Sequence, residues 1–217
     1  MEMDFNTNLA TYIAFEGIDG SGKTGQLSSL VEYLQEQGYK VLVTREIGSE
    51  HDKACSRIRQ IYLDSTYNID EIAGQLLFAA NASQHCERVI KPNLSKYDFI
   101  VSDRSIESSL AYSIARNISP ELTHLIHFLD KRKVFPDIVF YLDIDPEVAF
   151  ERSSARAAET FEGGGVDKVE AQGLKLQQEV YRQYEQRIKD NPNYVVIDCN
   201  GKDKETVQSL IRNSLTL

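Results

Sequence analysis

Positive charge is in deficit: 24 lysines and arginines stand against 33 aspartates and glutamates, the formal net charge is -9, and no run is rich in Lys or Arg. A binder of DNA or RNA neutralises many phosphates over a broad surface, so a nucleic-acid polymer is not the expected partner. Any phosphate is to be met by a few placed cations. Cysteine is sparse as well. Cys55, Cys86 and Cys199 are odd in number, widely spaced and without a Cys-x-x-Cys pair, which argues against a disulfide framework and a zinc knuckle. Long apolar runs are missing: nothing approaches the roughly 20 residues that cross a bilayer. The first eleven residues lack the basic and apolar regions of a secretion signal. A reducing cytoplasm is the expected compartment, with no membrane partner.

What is present is an alternation. Short apolar, β-rich runs at 12–15, 41–44, 99–102, 138–142 and 194–197 are separated by stretches of helical periodicity. Helices are expected after Gly22 and over 71–94, 107–115, 121–133, 147–156, 168–190 and 205–215, with starts near 68–70 and at Ser119-Pro120-Glu121. The strand runs are almost continuously apolar, as in strands covered on both faces. Together they predict an α/β three-layer sandwich: a five-stranded parallel sheet with helices on both sides. The 217 residues suit one domain, and 157–167, containing Gly163-Gly164-Gly165, is the expected lid.

Immediately after the first strand stands Gly17-Ile18-Asp19-Gly20-Ser21-Gly22-Lys23-Thr24, and a helical run follows it. In this context the pattern is a phosphate-binding loop. Its glycines let successive backbone N–H groups converge on a polyphosphate at a helix N-terminus. Lys23 is expected to bridge the outer phosphates of ATP, and the Thr24 hydroxyl to ligate Mg²⁺. His124 and His127 are three apart on an expected helix, but no third ligand stands near them for a metal.

The loop in its setting Phe15-Glu16-Gly17, together with Thr44-Arg45-Glu46, Leu76-Leu77-Phe78-Ala79-Ala80 and Ser102-Asp103-Arg104, resembles the thymidylate kinases in motif, order and spacing. The resemblance implies a P-loop nucleoside monophosphate kinase that moves a phosphoryl group from ATP to a deoxynucleotide, dTMP first. Arg45 and Arg104 then match the residues holding the acceptor phosphate, where a planar guanidinium can bind two oxygens. Asp103 matches an acid that organises Mg²⁺, and Asp19 a contact to the sugar 3′-hydroxyl. Phe78 matches the aromatic under the base, Ser108 a small polar neighbour of the base, and Tyr112 the bulk that disfavours a 2′-hydroxyl. A homodimer is implied by the same resemblance. Glu16 is left between two roles, orienting Lys23 or a metal-bound water, and a buried structural one.

Three departures are legible. Ala82 stands where the family usually has an arginine on the pyrimidine edge, a contact worth roughly 1.5–3 kcal/mol; Asn81, Ser83 or Gln84 would then read the base. Ser105 replaces the usual tyrosine or histidine, opening the pocket wall. Gly20 stands where some members carry a catalytic arginine, so Arg152, Arg156 and Lys168 become the candidate cations for the transferring group. A kinase for another or a modified deoxynucleotide, and a catalytically weak nucleotide-binding regulator, are the alternatives these departures leave open.

Overall fold

Residues 9–64, 66–130, 133–159 and 173–215 are described by the computed structural model of the protein. Five strands form one sheet: β1 (Thr11–Glu16), β2 (Val41–Arg45), β3 (Phe99–Asp103), β4 (Ile138–Asp143) and β5 (Tyr194–Asp198). Their order is β2-β3-β1-β4-β5 and every pairing is parallel. The central strands β1, β3 and β4 are buried along nearly their whole length, whereas the edge strands β2 and β5 alternate. This is the pattern of a sheet covered on both faces and exposed at its edges.

Eight α-helices connect the strands among the described residues: α1 (Lys23–Glu36), α2 (Lys53–Leu63), α3 (Glu71–His85), α4 (Ile106–Ala115), α5 (Pro120–His127), α6 (Pro146–Glu159), α7 (Gly173–Asp190) and α8 (Lys204–Asn213). The step from β1 to β2 runs in one direction across the sheet and all later steps run in the other. Right-handed crossovers therefore put α1 on one face and the helices between β2 and β5 on the opposite one. Packing agrees, since α1 meets α8 while α4 meets α7 and α6 meets α7. Direction reverses between β1 and β3, so the crevice outside their carboxyl ends is the topological switch point where ligands bind in such folds.

Helix starts follow side-chain capping. Asp70 accepts from the amides of Ile72 and Ala73, and Ser119 accepts from Leu122. Two expected helices end early. The run over 71–94 is α-helical only to His85, continuing as a π-turn over Cys86–Ile90 and a 3₁₀ turn over Lys91–Asn93. Pro92 has no N–H to give and its ring crowds the preceding turn. The run over 121–133 stops at His127, whose carbonyl accepts a bond from Lys133 Nζ at 2.5 Å. The sequence reading missed α2 altogether, although Asp52 caps it by accepting from Ala54 and Cys55.

Candidate active site

β1 ends at Glu16, and the chain turns through residues 17–22 before α1 begins at Lys23. Gly20 has φ 88°, and a Cβ there would lie 1.9 Å from the Ala149 carbonyl oxygen on α6. No side chain fits at Gly20 while α6 keeps this position. The close approach also serves α6. Arg156 lies seven residues beyond Ala149, on the same helical face, and lines the cleft in front of the loop.

Lys23 is buried in the bowl of the loop. Its ammonium donates to the carbonyls of Gly17 at 2.9 Å and Ile18 at 2.8 Å and reaches Ser21 Oγ at 3.5 Å. Burial, helped by the nearby Arg104 guanidinium, lowers its pKa to about 8. Thr24 Oγ1 donates to Asp103 Oδ2 at 3.4 Å. A hydroxyl beside a carboxylate is a hard-oxygen donor set and fits Mg²⁺.

Strand register brings the rest together. Asp103 pairs with Phe15 of β1 on one side and with Arg45 of β2 on the other, so three strand ends meet at one point. Arg104 follows in the left-handed region at φ 67°, a conformation that costs free energy unless its surroundings hold it. They do: its amide donates to the Phe15 carbonyl at 3.0 Å, and its carbonyl accepts from Ser102 Oγ at 2.7 Å. This turn aims the guanidinium at the loop. It donates to the Gly17 carbonyl at 3.1 Å and to Ser108 Oγ at 2.9 Å, and it pairs with Asp19. Tyr112 also donates to Asp19, at 3.2 Å. Burial alone would raise the Asp19 carboxyl, but Arg104 and Lys23 outweigh it and hold the group below its usual range.

Two connected spaces result. A cleft of about 290 Å³ is lined by the loop, Thr24, Arg45, Asp103 and Arg156. Behind it lies a cavity of about 130 Å³ walled by Tyr62, Phe78, Ser108, Ser109, Tyr112 and Arg116. Asp19, Glu46, Arg59 and Arg104 line both and form the neck. Phe78 is half-buried and packs edge-on against Tyr62, ring centroids 4.5 Å apart. Arg59 and Tyr62 belong to the unforeseen α2. The signal that could have found them was Asp52 as a cap, followed by Cys55 and Tyr62 seven apart on one face.

Several sequence expectations land elsewhere. Asn81 is fully buried, donates to the Cys55 carbonyl at 3.0 Å and accepts from the Gly48 amide at 3.3 Å; it ties α2 to α3 and lines neither space. Ser83 donates to Asp130 at 2.5 Å and Gln84 to Asp52 at 3.1 Å, so neither reaches the cavity. Ser105 is not a pocket wall either, since it caps α4 and donates through amide and hydroxyl to Glu16 Oε1 at 2.7 and 2.8 Å. Glu16 takes the structural role, accepting in addition from Ser108 Oγ and Tyr184 Oη, both at 2.6 Å. Arg152 lines neither space. Residues 157–159 of the expected lid complete α6; Lys168 and 160–167 lie outside the described residues. The histidine pair gathers no metal set among the described residues, and burial lowers the His127 pKa to about 4.

The thymidylate kinase family profile matches residues 15–211. A thymidylate kinase from Thermosipho africanus is 39% identical over 188 residues, covering 86% of this chain and 89% of that protein. One from Mycoplasma capricolum is 36% identical over 199 residues, covering 90% of each, and one from Pelodictyon phaeoclathratiforme is 36% identical over 198 residues with the same coverage. With the loop, the paired Asp103 and Arg45, and the two joined spaces in place, the chain belongs to the thymidylate kinase family.

Proposed function

We propose that the chain transfers the γ-phosphoryl group of ATP to the 5′-phosphate of dTMP, giving ADP and dTDP. The observation that carries this is the pair of joined spaces: a cationic cleft in front of a phosphate loop, and behind it an aromatic-walled cavity, with Arg104 in the neck. An oxygen of the acceptor phosphate attacks the γ-phosphorus while the bond to the β–γ bridging oxygen breaks and leaves with ADP. The protein's share is positioning and charge neutralisation. Loop amides and Lys23 hold the donor tail; Arg45, Arg59 and Arg104 hold the acceptor phosphate. Arg156 lines the same cleft. Thr24 and Asp103 would hold Mg²⁺, which when bound neutralises charge on the phosphate oxygens. Phe78 supplies a π-face for the base, and Tyr112 the bulk beside the sugar.

The reading extends to a cytoplasmic homodimer. All three cysteines are buried free thiols, and among the described residues no helix is long and apolar enough to cross a membrane. Leu76, Leu125 and Leu129 are exposed on and just beyond α3 and α5, an apolar surface suited to a second copy.

The test is an assay of the purified chain with Mg·ATP against a panel of nucleosides and nucleoside monophosphates. Equal amounts of ADP and dTDP from dTMP are expected. Better turnover of another monophosphate reassigns the acceptor, and ATP binding without product on any member overturns the kinase reading. The loop's own contribution can be read separately. Gly20→Ala introduces a left-handed alanine, costing about 1–2 kcal/mol, besides its clash with Ala149. ATP affinity measured by calorimetry is expected to fall about tenfold.

A further inference from the structure

Four residues that line the inner cavity recur at every fourth position: Arg104, Ser108, Tyr112 and Arg116. Arg104 precedes α4, Ser108 and Tyr112 lie on it, and Arg116 is its C-cap. On a helix this spacing keeps side chains on one face, so α4 lies along the cavity as a ruler with a guanidinium at each end. Both cations sit over the same ring, their central carbons 5.4 and 5.5 Å from the Tyr112 centroid. With each carbon that close to one centroid, the two charges lie at most about 11 Å apart, so both can meet a single ligand.

Their surroundings differ. Of the three arginines lining the inner cavity among the described residues, Arg59 and Arg104 also line the phosphate cleft, while Arg116 lines the inner cavity alone, together with Phe78. Its side chain is 5% exposed, with Glu71 on α3 lying 3.9 Å from Nε. A guanidinium has donors only, and in a cavity walled by rings it favours a ligand carbonyl over an amine. Ala82, where the family resemblance implies an arginine, is buried and lines neither space.

We propose that Arg116 determines base specificity in this chain, donating from the C-cap of α4 to a ring carbonyl at the far edge of the acceptor base. This rests on the acceptor reading given above. Thymine carries a carbonyl at position 4 where cytosine carries an amine, so Arg116 favours the first and sets donor against donor in the second.

The experiment measures kcat and KM for dTMP and dCMP in the wild type, Arg116→Met and Arg116→Gln. Loss of a charged hydrogen bond is expected to raise KM for dTMP about tenfold, with the larger change in KM than in kcat. The dTMP-to-dCMP ratio of kcat/KM should fall by a similar factor. A structural role alone would move both substrates in parallel, so an unchanged ratio in both variants overturns the proposal. If Arg116→Met does not fold, Arg116→Gln, which keeps a polar group on a shorter side chain, decides on the same ratio. A wild type that turns over another monophosphate but not dTMP overturns the acceptor reading and this proposal together; dTMP turnover with an unmoved ratio overturns this proposal alone.

Discussion

Lys23→Ala is expected to slow phosphoryl transfer by about 10²–10³-fold, measured as kcat with Mg·ATP and dTMP, while circular dichroism stays native. The ammonium sits inside the bowl of the loop, bonded to the carbonyls of Gly17 and Ile18, where little water screens it. A charge placed there interacts far more strongly with a polyphosphate than one on the surface. Its pKa of about 8 adds a pH signature. As pH rises through that value the free protein loses the proton and the attraction, so ATP affinity should weaken above about pH 8 in the wild type and show no such step in the alanine variant. Stability moves the other way. The unfolded chain holds this proton up to its usual 10.5, so between the two values it binds more protons than the folded state, and stability rises with pH across that window. Unchanged kcat in Lys23→Ala would refute the phosphate-loop assignment.

The strand positions and the loop were legible because both are local. Apolar runs of four or five residues, too short for helices and bounded by polar turns, read as buried strands, and the glycine spacing of 17–24 between a strand and a helix reads as a phosphate loop. The acceptor pocket was not legible in the same way. Its walls come from α2, α3 and α4, and which face of each turns inward depends on packing that no single segment encodes. Asn81 illustrates this: its neighbour Phe78 does line the cavity, but three residues on, the helix has turned towards Cys55 and Gly48. Arg116 illustrates the reverse. In the sequence it is one more surface arginine after a helix, and only the four-residue recurrence from Arg104, itself twisted by a left-handed backbone, reveals that it shares a wall with the phosphate clamp.

Glu16→Leu is the substitution expected to cost most stability, about 3–4 kcal/mol. The carboxylate is fully buried and accepts from the Ser105 and Ser108 amides, both of their hydroxyls, and Tyr184 Oη. Leucine fills the space but leaves those donors facing carbon, and at the start of α4 two of them are backbone amides that cannot turn away. For a chain of this length the thermal midpoint should fall by about 10 °C. Burial raises the Glu16 pKa above its usual 4.5, against the pull of Arg104 and the three hydroxyl partners. Its proton-linked stabilisation is therefore complete below that usual value and is lost as pH rises through the folded one. The stability advantage of wild type over Glu16→Gln should accordingly shrink from acidic towards neutral pH. The same carboxylate orders the acceptor clamp, because Ser108 Oγ, which donates to Glu16, accepts from Arg104. Loosening that link frees a guanidinium already held in an unfavourable backbone geometry. Even at a temperature where Glu16→Leu is fully folded, its KM for the acceptor should therefore rise while ATP affinity stays near that of the wild type; an acceptor KM that does not move would show that Arg104 is held without this network.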